Sequence, residues 1–208
     1  MTVSDRSLSH DPYNIIITGV GGQGNVMASR VLGTMLVTKG YHVTIGETFG
    51  PSQRGGSVMS HLRISRTSSW SPQIPEYGAH LIASLEPAEA TRVFAQYGNP
   101  DVIVICNTRP IYPVTVIRGE ASYPSVDDIQ KSLSTLAADT TFIDATDEAQ
   151  KLGNSILANI IILGAICGKG VLPIDREGFR RAISERVKEE QIAVNVRAFD
   201  LGTELSSR

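Results

Sequence analysis

Among the 208 residues only two are cysteines, Cys106 and Cys167. They are far apart in sequence, both in apolar surroundings, and neither belongs to a C-x-x-C pair. The sequence therefore encodes no zinc site and no iron–sulfur cluster, and it predicts two reduced thiols. Charge of one sign is also missing. Nineteen Lys and Arg face 21 Asp and Glu, for a net charge of −2. With no long basic block, nucleic acid is not expected as a partner. No apolar run approaches the roughly 20 residues needed to span a bilayer. Met1 to Pro12 is polar and lacks the apolar stretch of a secretory signal, which predicts a cytoplasmic protein and no membrane partner. The G-x-x-x-x-G-K-[ST] phosphate loop is absent, as are a Ser-His-Asp order and any metal-ligand cluster. There is no internal repeat and no low-complexity tract.

Glycine, with 19 residues, is what the chain has in quantity, and it gathers in two turns. The first reads Gly19-Val20-Gly21-Gly22-Gln23-Gly24 and the second Gly50-Pro51-Ser52-Gln53-Arg54-Gly55-Gly56. The apolar run Asn14 to Thr18 precedes the first turn. Met27, Ala28, Val31, Leu32, Met35 and Leu36 follow it at helical spacing, and Lys39-Gly40 supplies the stop. A glycine turn between strand and helix lets the backbone approach a ligand closely, and the amides at the helix start favour a phosphate. In the second turn Ser52 and Arg54 offer a hydroxyl and a bidentate cation, and Gly55 and Gly56 expose backbone amides. Glu47, about 20 residues beyond the first turn, stands where dinucleotide-binding folds place an acid on the ribose.

Further along, strands and helices alternate. Ser57 to Ile64 reads as a strand with Val58, Ser60, Leu62 and Ile64 on one face and Met59, His61 and Arg63 on the other. His61 reads as a hydrogen-bonded structural histidine. Arg66 to Gly78 reads as a long surface excursion, in which Trp70 is either packed or an exposed anchor for a partner. A strand from Ala79 to Leu85 leads through Glu86-Pro87 into a helix, with Glu86 and Glu89 at its start. Asp101 to Asn107 is a continuous apolar strand, and Ile111 to Ile117 alternates around Pro113 as an edge strand or excursion. Ser125 caps a helix to Leu136, and Thr140 to Ile143 is a last buried strand. Ser155 to Cys167 is apolar around nearly its whole circumference, which demands burial in the domain or against another subunit. A final helix is expected from Glu189 to Leu201, stopped by Gly202. The pattern predicts an α/β fold, Rossmann-like, with a mostly parallel sheet, helices on both faces and a loop or edge-strand excursion. One domain over 13–208 would follow a flexible tail over 1–12. Ligands in such sheets bind beyond the carboxyl ends of the strands, where the glycine turn, Glu47 and Asp144 lie.

The paired Gly-Gly-Gln-Gly and Ser-Gln-Arg-Gly-Gly turns resemble the gamma-type domain of 2-oxoacid:ferredoxin oxidoreductases. Within that family they are most similar to the indolepyruvate branch. Leu85-Glu86-Pro87-Ala88-Glu89-Ala90, Leu152-Gly153-Asn154, Asn159 with Leu163-Gly164-Ala165, and Asn195 with Ala198-Phe199 extend the resemblance from about Tyr13 to Gly202. It implies oxidative decarboxylation of a 2-oxo acid, an arylpyruvate such as indolepyruvate, to an acyl-coenzyme A, with electrons passed to ferredoxin. Thiamine diphosphate and the iron–sulfur clusters would reside in a larger partner subunit. Coenzyme A would meet this chain at Gly19, Gly21, Gly22, Gln23, Gly24, Ser52, Arg54, Gly55 and Gly56, with Glu47 orienting the second loop and no metal bound. The residues themselves leave two other readings open. One is a free-standing NAD(P)- or flavin-dependent oxidoreductase, and the other is a nucleotide-binding module without catalysis.

Overall fold

A computed structural model describes residues 8–49 and 56–207. At its centre runs β1 (Tyr13–Val20), buried along its whole length. Such a strand is covered on both faces, which is why Ile15, Ile16 and Ile17 follow one another without a polar interruption. Helix α1 (Asn25–Val37) leaves it, and β2 (His42–Phe49) and β3 (Ser57–Ser65) follow as an antiparallel pair. Next come β4 (Leu81–Ser84), α2 (Pro87–Tyr97), β5 (Ile103–Asn107) and the single turn α3 (Val114–Ile117). The chain continues through α4 (Val126–Leu136), β6 (Asp139–Ile143) and α5 (Ala145–Lys151). A 3-10 turn (Ser155–Leu157) then opens α6 (Ala158–Gly168), and α7 (Arg176–Ser184) and α8 (Glu189–Ser206) complete the fold.

The sheet order is β2-β3-β1-β4-β5-β6. β1, β4, β5 and β6 are parallel, whereas β3 runs antiparallel to both of its neighbours. Side chains alternate as the pleat requires. Ile15, Ile17, Leu62, Ile64, Leu81 and Ile105 pack on one face beneath α1, α5, α6, α7 and α8. Ile16, Met59, Ile82, Val104 and Cys106 pack on the other, beneath α2 and α4. The all-round apolar helix is α6, buried from Ala158 to Ile166 within this chain. Full burial of each of its Ile and Leu side chains contributes roughly 1.5–3 kcal/mol.

Three expectations are revised and one is narrowed. Ile111 to Ile117 is the excursion and not the edge strand. The Pro113 carbonyl accepts from the Val116 and Ile117 amides at 3.0 Å each, closing a helical turn that leaves Val114 and Ile117 exposed. Helix α8 does not stop at Gly202 but continues to Ser206, because that glycine serves close packing. A Cβ there would lie 1.9 Å from the Ile161 carbonyl oxygen of α6. Residues 8–12, expected to fray with the N-terminus, are anchored: Leu8 packs on the core and His10 stacks on His80 with ring centroids 4.1 Å apart. Glu47 lies inside β2 rather than at its end, opposite Ser60.

Candidate functional site

Helix α1 leaves β1 toward one face of the sheet, and α2 leaves the adjacent parallel strand β4 toward the other. The chain is thus led apart at the carboxyl ends of β1 and β4, which opens a crevice there. The first glycine turn forms its floor. Gly22 and Gly24 adopt φ of 106° and 84°, values that side-chain-bearing residues reach only with strain. Space is tight as well: a Cβ on Gly24 would sit 2.1 Å from Asn159 Nδ2, whereas at Gly22 nothing lies within 4 Å. Gly22 therefore faces open space.

The turn is held by side chains that sequence reasoning assigned differently or passed over. Gln23 folds inward, its Oε1 accepting from the Val20 amide at 2.7 Å and its Nε2 donating to the Leu85 carbonyl at 2.8 Å. Its amide is thus spent on backbone. Asn107, fully buried at the end of β5, donates from Nδ2 to the same Leu85 carbonyl at 2.9 Å and to Thr146 Oγ1 at 3.0 Å. Its Oδ1 accepts from the Thr146 amide at 3.2 Å. One carbonyl, that of Leu85, thereby ties together the strand ends of β1, β4 and β5 and the start of α5. The Gly21 amide donates to the Gly56 carbonyl at 2.8 Å, which joins the first turn to the start of β3.

Other donors are unspent. The amides of Gly22, Gly24, Asn25, Val26 and Met27 meet no acceptor among the described residues, and no side chain caps α1. Free amides at a helix start, with the positive end of its dipole, suit an anion. The crevice has a volume of about 320 Å³. Beyond the glycine turn it is bounded by Arg109, Ile111, Thr146, Ser155 and Ile156, and among the described residues no carboxylate lines it. Arg109 pairs with Asp147 at 3.2 Å, both side chains more than half exposed. A larger cavity, about 480 Å³, is lined by α7 and α8 alone and touches no strand end.

Glu86 sits just behind the crevice wall, buried. It caps α2 by accepting from the Glu89 amide at 2.9 Å, as expected of an acid at a helix start. Its other oxygen accepts from the Ile111 amide at 3.2 Å and from the Tyr123 hydroxyl, which fixes the segment bearing the crevice wall. Burial, and then that bond to the Glu86 carboxylate, push the Tyr123 hydroxyl well above its ordinary pKa. It stays protonated and donating. Burial and the Glu86 charge raise the Cys106 thiol likewise, so it is inert.

The remaining candidates fall as follows. Glu47 lies 3.4 Å from Arg30 Nε, and β3 is interposed between β2 and β1. Two strand spacings, about 10 Å, separate it from the glycine turn, so it does not occupy the ribose position of a dinucleotide fold. Gly19, Gly21, Gly22, Gln23 and Gly24 are brought together at the turn, and Gly56 is bonded to it. Ser52, Arg54 and Gly55 lie outside the described residues. Asn107, Arg109 and Thr146 were missed, being spread over the end of β5, the segment after it and the first turn of α5; the only signal was that each lies at or just beyond the end of a predicted strand. His61 is structural, its Nδ1 accepting from the Ile74 amide at 3.3 Å in a buried setting that lowers its pKa.

Comparison with known proteins agrees with this architecture. Residues 14–205 match the pyruvate ferredoxin/flavodoxin oxidoreductase family. The chain belongs to that family. An Archaeoglobus fulgidus relative, indolepyruvate oxidoreductase subunit IorB, is 36% identical over 189 residues, covering 91% of this chain and 92% of that protein. Its Thermococcus kodakarensis namesake is 38% identical over 191 residues, covering 91% and 94%. A solved 2-oxoglutarate:ferredoxin oxidoreductase from Magnetococcus marinus, with 2-oxoglutarate, coenzyme A and succinyl-CoA bound, shares the fold. It aligns at a TM-score of 0.72 and 17% identity over 95% of this chain and 31% of that longer one. Among the described residues of this oxidoreductase-family chain, no group of three or more His, Cys, Asp or Glu is placed to hold a metal, and no helix is long and apolar enough to cross a membrane.

Proposed function

We propose that this chain is the small subunit of an indolepyruvate-type 2-oxoacid ferredoxin oxidoreductase and that it holds coenzyme A at the strand-end crevice. In the overall reaction a 2-oxo acid and the coenzyme A thiol yield an acyl thioester, carbon dioxide, one proton and two electrons, which pass to ferredoxin. A larger partner subunit carries thiamine diphosphate and iron–sulfur clusters, which supply decarboxylation and electron transfer when bound. The enzyme is thus an oxidoreductase acting on an oxo group with an iron–sulfur acceptor, working in the cytoplasm. This chain's part is binding and orientation. The unspent amides from Gly22 to Met27 take a phosphate of the co-substrate, and Arg54 contributes a second cationic contact. Gln23, Asn107 and Asn159 hold the turn rigid, so that little ordering remains to be done on binding.

The observation that carries the reading is the open glycine turn at the switch point, with free amides, an uncapped helix and no carboxylate among the described residues of the lining. It is supported by the named activity of relatives that match nearly the whole chain. The displaced Glu47 argues against a free-standing dinucleotide enzyme. Steady-state kinetics of the complete heteromeric enzyme provide the test. Gly22→Val and Arg54→Ala are each expected to raise the Michaelis constant for coenzyme A at least tenfold while leaving that for the 2-oxo acid in place. An unchanged constant in both variants would sink the assignment.

A further inference from the structure

The crevice has a second wall that the glycine motif does not announce. Arg109 follows β5, Thr146 lies in the first turn of α5 and Ser155 opens the 3-10 turn before α6, and all three border the same 320 Å³ space as Gly22. Thr146 is oriented. Its Oγ1 already accepts from Asn107 Nδ2 at 3.0 Å, and Asn107 is locked by the Leu85 carbonyl and the Thr146 amide. The hydroxyl proton therefore has to point elsewhere, and among the described residues it finds no acceptor. Among the described residues Arg109 is engaged by Asp147 alone, at 3.2 Å and largely in solvent. A pair of that kind is weak and is readily exchanged for a more highly charged oxyanion. Val20, Ile111 and Ile156 supply apolar surface beside these donors.

We propose that Arg109 and Thr146 form a phosphate subsite, sharing the crevice with the exposed Gly22 of the glycine turn, for a phosphate ester of an adenine-nucleotide co-substrate. The proposal rests on the coenzyme A reading above and specifies which side chains complete the site. Asp147 serves as the stand-in anion, holding Arg109 extended along the wall until the phosphate arrives. The same chemistry could be presented by the co-substrate's pyrophosphate or by its adenosine 3′-phosphate.

The test uses the intact heteromeric enzyme with coenzyme A and 3′-dephospho-coenzyme A as probes. Arg109→Gln and Thr146→Val are expected to raise the Michaelis constant for coenzyme A about tenfold and a few-fold respectively, with that for the 2-oxo acid unmoved. Arg109→Lys should recover part of the loss. Asp147→Asn should lower the constant for coenzyme A, because it releases Arg109, and no merely structural role predicts that sign. If the Arg109→Gln penalty persists with the dephospho probe, the subsite takes the pyrophosphate; if it vanishes, the subsite takes the 3′-phosphate. Constants within twofold of wild type for both Arg109→Gln and Thr146→Val, while Gly22→Val remains impaired, would overturn the subsite and leave the glycine-turn reading intact. No effect in any of the three, nor in Arg54→Ala, would overturn both. An equal rise in the constant for the 2-oxo acid would also overturn it, by exposing a general distortion.

Discussion

At the scale of single residues, the fold depends on a few positions where backbone and side chain leave no slack. Gly24 combines a left-handed φ of 84° with the Asn159 amide packed where a Cβ would project. Gly24→Ala is expected to cost about 1–3 kcal/mol through backbone strain and this clash, read as a lower denaturation midpoint. Adding Asn159→Ala should relieve the clash but not the strain, so the two changes will not be additive. His80 makes a pH-dependent contribution. Its Nδ1 accepts from the Asn14 amide at 2.8 Å, which requires the neutral ring. Burial first, then the charges of His10 and Arg63, lower its pKa to about 4. The unfolded chain therefore binds the proton more readily than the folded one. Stability should fall as pH drops from about 6.5 toward 4, by at most about 3 kcal/mol and less than that for a ring that keeps some contact with solvent. Denaturant midpoints measured across this range check the slope, and His80→Asn, which retains an acceptor, should flatten it. At this scale the glycines were legible, because the turn needs them for a reason that sequence carries. Gln23 was not. Its place in the motif suggested a ligand contact, but its fate depends on the Leu85 carbonyl, 62 residues away in the chain.

Among the elements, α6 and α8 show how local signals mislead when tertiary contacts decide. Gly202 reads as a helix stop, and in isolation glycine does favour that role. Here it lies inside α8 because two helix backbones touch: a Cβ on Gly164 would fall 2.1 Å from the Phe199 carbonyl, and one on Gly202 would fall 1.9 Å from that of Ile161. The reciprocal glycines let the helices close on each other, with Phe199 stacked on Phe179 of α7 at a centroid distance of 4.2 Å. Gly202→Ala must push α8 away from α6 and is expected to cost about 1–3 kcal/mol, lowering the melting temperature by several degrees in a chain of this size. An unchanged melting temperature would mean that α8 can slide without loss. The burial of α6 was legible from its apolar circumference, but its covering was not, since periodicity states that a face is buried and not what buries it. The same limit explains α3, where alternation around Pro113 marked an apolar rim and not a pleat.

For the molecule as a whole, the alternation of strands and helices disclosed the layered α/β plan, whereas the antiparallel insertion of β3 between β1 and β2 could not be read from spacing. That insertion has a functional consequence. It carries Glu47 away from the glycine turn and so withdraws the ribose contact of a dinucleotide enzyme. The chain's chemistry is correspondingly one-sided. Two cysteines cannot ligate a four-cysteine cluster, and Cys106 is buried with its thiol held protonated. Ile111, Tyr112, Val114 and Ile117 expose apolar surface next to the crevice, as a chain that works beside another subunit would. Mixing the separately purified chain with its larger partner should therefore produce a saturable rise in thioester formation above that of either component alone. The half-saturating concentration reports their affinity. With Arg109→Gln the plateau should be regained only at raised coenzyme A, because the variant assembles normally and binds the co-substrate weakly. A partner that forms the thioester at full rate without this chain would place the co-substrate site elsewhere, and the donor-lined crevice would then need another anion to explain it.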